Sequence, residues 1–139
     1  RRTPLRPGGG ITFGPKPRDW GIKMNKKERR LAMATALQSA AGDTMVVDAV
    51  SLASPKTSEL VAALARLGAD PMAPGAHILL VVEAVSRELA MAARNVAGLT
   101  LARVGALNAY DVLRADRIVL EKGALASIQD FYGPKVDDE

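Results

Sequence analysis

Cysteine is absent from the 139 residues, so the chain forms no disulfide and offers no thiolate to a metal. Its one histidine, His77, excludes a His-rich metal site in this sequence. Aromatic residues make up 4%, which leaves few large anchors for a ligand pocket and predicts an aliphatic core. The longest apolar runs, such as Ile78–Val82, fall far short of the roughly 20 residues a bilayer-spanning helix needs. What remains is ordinary globular material: hydrophobic residues make up 48%, and the length suits one domain with a single core.

Charge is distributed very unevenly. The whole chain carries +4. Residues 1–30 hold ten cations (Arg1, Arg2, Arg6, Lys16, Arg18, Lys23, Lys26, Lys27, Arg29, Arg30) against Asp19 and Glu28, a net +8. Residues 31–139 hold 9 Lys or Arg against 13 Asp or Glu, a net −4. Such asymmetry points to a polyanion contacted by one end of the chain.

The basic stretch is also rich in breakers: Pro4, Pro7, Gly8, Gly9, Gly10, Gly14, Pro15, Pro17 and Gly21 exclude a long helix or a central strand there. Residues 1–24 are therefore expected to be an extended arm, with residues 25–139 forming an α/β globular domain. With only Leu5, Ile11, Phe13 and Trp20 as scattered apolar residues, the arm cannot offset its own ordering entropy and is expected to be mobile until it meets a partner.

Asn25 with Glu28 three residues on is an N-terminal capping pattern, and it predicts a helix over 26–41 with Leu31, Ala34, Leu37 and Ala41 inward and Gly42 as its stop. Lys26, Lys27, Arg29 and Arg30 then crowd the positive end of that helix, a conflict that nearby phosphates relieve. Strands are predicted at 44–52, 77–82, 99–104 and 117–120. Helices are predicted at 57–67, 87–93, 109–114 and 122–132, ahead of a frayed acidic tail at 136–139. Strands alternating with helices predict a mostly parallel sheet with helices on both faces.

Arginine and lysine interleaved with Gly8–Gly10 and proline place charge on a thin backbone that can enter RNA crevices, and Trp20 and Phe13 are candidates to stack on unpaired bases. The competing readings are an inert solvated tail and a membrane-surface segment, the latter disfavoured by the lack of an amphipathic apolar face. Gly9–Lys16 superficially matches a phosphate-binding loop but fails: Pro15 removes a donor, Pro17 replaces the metal-binding hydroxyl, and no strand precedes it. Arg94, beside Asn95 just past a short helix, is a candidate phosphate contact from the body, with a structural turn as the alternative. His77 reads as a structural histidine, Met24, Met33 and Met91 as packing residues, and Asp48, Asp111 and Asp116 as capping or solvated carboxylates. No catalytic constellation can be assembled, and no cofactor or metal is expected.

The stretches Arg1–Gly10, Phe13–Asp19 and Lys23–Ala32 resemble the large-subunit ribosomal protein L-four family. Ser54–Thr57, Ala93–Val96, Leu107–Leu113 and Asp116–Leu120 look like its later motifs, in order, so that the similarity covers essentially the whole chain. The resemblance implies a structural ribosomal protein, with an α/β domain on the large subunit and a long loop threading ribosomal RNA toward the peptide exit tunnel. It implies RNA contacts for Arg1, Arg2, Arg6, Gly8, Gly9, Gly10, Lys16, Arg18, Lys23, Asn25, Lys26, Lys27, Arg29 and Arg30, with electrostatic and positional roles. Other large-subunit proteins would be neighbours, and neither a membrane nor a small-molecule substrate is implied.

In that family an N-terminal segment and the outward limb and tip of the loop precede the residues seen here, so the chain is expected to start on the returning limb. The Pro17-Arg18-Asp19-Trp20 step and the acidic tail resemble plastid and cyanobacterial members. They suggest a plastid ribosome, with the cyanobacterial cytoplasm as the alternative and, for a plastid protein, a transit peptide upstream. A small α/β enzyme acting on RNA or nucleotides is the rival reading, since folds of this kind host many functions.

Overall fold

The computed structural model describes residues 3–133, which leaves Arg1, Arg2 and the acidic tail outside the described residues. From Lys26 onward, helices and strands alternate: α1 (Lys26–Ser39), β1 (Thr44–Val47), α2 (Thr57–Arg66), β2 (Ile78–Val82), α3 (Arg87–Ala93), β3 (Leu99–Arg103), α4 (Ala109–Arg114), β4 (Arg117–Glu121) and α5 (Lys122–Tyr132). The four strands form one sheet in the order β1-β4-β2-β3, and every pairing is parallel. The expected α/β class with a parallel sheet is what the structure shows.

β2 explains the layering. All five of its residues are buried, which suits a central strand covered on both faces. Leu79 and Val81 point into one cluster with Met33 and Ala36 of α1, Val112 of α4, and Ala124 and Ile128 of α5. Ile78, Leu80 and Val82 point into the other, with Leu60 and Leu64 of α2 and Leu89, Ala92 and Ala93 of α3. The chain moves outward along the sheet through α2 and α3 on one face and returns from β3 to β4 through α4 on the other. That allocation follows from the single hand of parallel crossovers: reversing direction along the sheet switches the face.

Two expectations are corrected. β1 stops at Val47, five residues short of the predicted end. Val47 pairs with Glu121, the last residue of β4, and α5 begins at Lys122, so no backbone remains alongside for Asp48 onward to pair with. The apolar Val50 and Leu52 that suggested more strand pack as a loop against the α2 side of the core. In α1 the inward face is Met33, Ala36 and Leu37, continued by Ala40 just past its end, while Leu31 is 69% exposed. The helix ends at Ser39 and gives way to a 3-10 turn at Ala41–Asp43 that contains Gly42. The Thr44 hydroxyl donates to the Ala40 carbonyl at 2.8 Å across that turn. After α2, by contrast, Gly68 has φ +76° and turns the chain as expected.

Candidate nucleic-acid interface

Residues 3–25 contain turns but no helix or strand. The first turn is closed by backbone bonds from Arg6 N–H to the Thr3 carbonyl (3.3 Å) and from Gly9 N–H to the Arg6 carbonyl (2.9 Å). Gly8 adopts φ +72°, and Gly9 lies so close to the Thr3 carbonyl that a Cβ would strike it. Both glycines thus permit a backbone path that other residues resist. Farther along, the Asp19 carboxylate accepts the Gly21 N–H at 2.8 Å, and the Arg18 guanidinium lies 3.8 Å from the centre of the Trp20 ring. Trp20 is 75% exposed, so Arg18 covers part of an aromatic surface that otherwise meets solvent.

The arm runs into α1 through Asn25, whose extended backbone and side-chain bond from the Lys27 N–H (3.4 Å) cap the helix. Lys26 and Lys27 follow as the first two helical residues. Arg6, Lys16, Arg18, Lys23, Lys26, Lys27, Arg29 and Arg30 are all exposed. The ion pairs formed among the described residues, Lys56–Glu59 and Arg117–Asp43, involve none of these eight. A run of cations with no ion pair among the described residues, on an irregular arm and a helix N-terminus, has the makings of a phosphate-binding surface.

Lys26, Arg29, Arg30 and Met33 follow at i, i+3, i+4 and i+7, so they share one side of α1. That side borders an open cleft of about 790 Å³, closed opposite by Leu107, Ala109, Phe131 and Tyr132 and flanked by Met24. Sequence reasoning missed Met24, Leu107, Phe131 and Tyr132 as part of this surface. No local signal marks Phe131, because the fold alone carries the end of α5 to the start of α1.

Arg94 is exposed at the end of α3. It belongs to the helix layer across the sheet from α1, so the structure does not bring it together with the cations of the arm's helix. His77 and Asp116 tie the starts of β2 and β4: the His77 N–H donates to the Asp116 carboxylate at 2.9 Å, and the Asp116 N–H donates to the His77 carbonyl at 2.7 Å. Asp111 and Asn108 cap α4 reciprocally at 2.7 Å. Met33 is buried, whereas Met24 and Met91 are 58% and 40% exposed.

In an open parallel sheet, ligands bind beyond the strand carboxyl ends where neighbouring connections leave to opposite faces. Here every neighbouring pair of strands meets that condition, and the central pair, β2 and β4, has acidic residues at its carboxyl end. The Glu83 N–H donates to the Glu121 carboxylate at 2.9 Å, and the Glu83 carboxylate itself lies against Gly123 in the first turn of α5. Two carboxylates thus lie at the carboxyl end of this pair, where they disfavour an anionic ligand.

Arm, helix and sheet together define an α/β protein that presents a cationic surface, with no catalytic constellation among its described residues. The ribosomal protein L4/L1 family profile matches residues 1–131. The large ribosomal subunit protein uL4 of Microcystis aeruginosa is 46% identical over 134 residues, which cover 95% of this chain and 62% of the relative. That of Rippkaea orientalis is 47% identical over 133 residues, covering 94% and 62%. The protein uL4c of Spinacia oleracea is 46% identical over 134 residues, covering 94% of this chain and 44% of its own length. The chain belongs to the ribosomal protein L4/L1 family, a family of ribosomal proteins and not of enzymes, and it spans less than two thirds of the length of these curated relatives.

Proposed function

We propose that the chain is a structural constituent of the large ribosomal subunit that binds ribosomal RNA through residues 1–24 and the first turns of α1, with residues 25–139 as the globular body. The observation that carries this reading is the set of eight exposed cations between Arg6 and Arg30, none of them paired with a carboxylate among the described residues. Arg1 and Arg2 extend the same charge in the sequence. Gly8, Gly9 and Gly10 give close backbone approach, Trp20 offers a stacking surface, and Asn25 fixes the helix start. Arg94, across the sheet, is a second and separate contact to RNA.

The protein's neighbours are other large-subunit proteins, and its place is near the peptide exit tunnel, where it supports assembly. A plastid ribosome is the location we favour, on the sequence features of the arm and tail. The cyanobacterial cytoplasm is the alternative, and identities of 46% to the spinach relative and 46–47% to the cyanobacterial ones favour neither.

The test is lysine acetylation with and without large-subunit ribosomal RNA, read by mass spectrometry. Lys16, Lys23, Lys26 and Lys27 are expected to become protected while Lys56 and Lys122 react as before. Protection of Lys56 and Lys122 with the arm lysines unchanged would place the RNA away from the arm and refute this reading.

A further inference from the structure

We propose that the cleft between α1 and the end of α5 is a binding slot for a single unpaired nucleotide, the base seated on its apolar floor and the flanking phosphates held by Lys26, Arg29 and Arg30. This rests on the arm being an RNA anchor and adds a second kind of contact, one that distinguishes looped-out from paired RNA.

Two features of the cleft demand different things of an occupant. Its floor is apolar and includes Met33, which is 7% exposed, and its far wall carries Phe131, 55% exposed at the end of the last helix. Its rim carries three cations within little more than one helical turn, and among the described residues no carboxylate lines it. An aliphatic side chain from a protein partner would suit the floor but would desolvate three cations without neutralising them. A bare phosphate, or a duplex backbone, would suit the rim and leave the apolar floor in water.

A splayed nucleotide satisfies both, since its base has two apolar faces and its phosphates carry the opposite charge. The volume, about 790 Å³, lies within the range of sites that accept ligands of this size, roughly 300–1,000 Å³. The cleft also opens where the arm joins the body, with Met24 on its lip, so RNA following the arm is delivered to it.

The chain's five methionines make the test clean. Met33 lies in the cleft floor and Met24 on its lip, whereas Met45 belongs to β1, Met72 to the loop before β2 and Met91 to α3. With methyl-labelled methionine, a short single-stranded oligoadenylate is expected to shift Met33 and Met24 and leave Met45, Met72 and Met91 still. A fully paired RNA duplex is expected to bind through the arm and leave Met33 still.

Phe131→Ala, at an exposed position, is expected to weaken oligoadenylate binding roughly tenfold, the effect of losing a base-stacking aromatic, and to leave duplex binding unchanged. If oligoadenylate binds with normal salt dependence while Met33 stays still and Phe131→Ala has no effect, the slot is overturned and the arm reading survives. If neither RNA binds in a salt-dependent way, the arm reading falls and the slot falls with it. If a glutamate-rich apolar peptide moves Met33 and oligoadenylate does not, the cleft is a protein-docking groove and the nucleotide assignment is wrong.

Discussion

Replacing Lys26 and Lys27 by glutamate is expected to stabilise the free protein and weaken its hold on RNA, two effects of opposite sign from one change. Both residues lie in the first turn of α1, behind the Asn25 cap, with their charges in solvent. Cations there oppose the helix dipole by roughly 0.3–1 kcal/mol each, and carboxylates gain a similar amount. Arg29 and Arg30 sit beyond the first turn, where the effect has largely decayed. Taking the low end of that range, about 0.3–0.5 kcal/mol for each of the four terms, because both sites are exposed, the double reversal is worth about 1–2 kcal/mol at low salt. For a domain of this size that raises the melting temperature by roughly 4–8 °C.

The gain should shrink as salt screens the charges. On RNA the same variant loses two phosphate contacts, so the slope of log affinity against log salt should flatten by about 1.4–1.8. Thermal melts followed by circular dichroism at two salt concentrations, beside filter binding to ribosomal RNA, measure both. A variant that melts lower than the parent would refute the dipole reasoning. One that binds RNA with an unchanged slope would show that these lysines do not meet phosphates.

Three further expectations concern the scaffold. Leu80 is fully buried in β2, so Leu80→Ala should cost about 2–5 kcal/mol, measured as a lower urea midpoint with an unchanged m-value. Gly98→Ala should be worse than Gly68→Ala: a Cβ at Gly98 would strike the backbone carbonyls of Pro71 and Ala76, whereas Gly68, at φ +76°, has open space and only its conformation to lose. Strain of about 1–2 kcal/mol is expected at Gly68, and a loss exceeding it at Gly98, from the same urea titrations. Asn108→Ala removes the cap on α4, the Asn108 side-chain oxygen that accepts the Asp111 N–H at 2.7 Å, and should cost about 1 kcal/mol.

The parallel sheet was legible because β2 and the segments around it carry the two signals that local reasoning reads well, a continuous apolar run and helical spacing between turn residues. The ends of elements were less so. Val50 and Leu52 look like strand because they are buried, and only the pairing of Val47 with the last residue of β4 shows that the ladder has run out. Leu31 looked inward because it stands at helical spacing with Ala34, Leu37 and Ala41, yet α1 is rotated so that Met33 and Ala36 enter the core it shares with α4 and α5. The basic arm was plain from composition alone. The cleft was not, since its walls come from residues about a hundred positions apart in sequence, and Phe131 in isolation is an ordinary aromatic near a chain end.

The central claim is that the arm and the start of α1 anchor RNA, and it is tested most directly by the salt dependence of binding to large-subunit ribosomal RNA. The comparison is between the parent chain and a variant with Arg6, Lys16, Arg18, Lys23, Lys26, Lys27, Arg29 and Arg30 all changed to glutamine. Each phosphate contact contributes about −0.7 to −0.9 to the slope, so engagement of even half of these cations makes the parent steeper by roughly 3 or more. A variant with a much shallower slope and a weaker affinity at low salt is the predicted result. A variant that binds as tightly as the parent, with the same slope, would contradict it and move the RNA site onto the body of the protein.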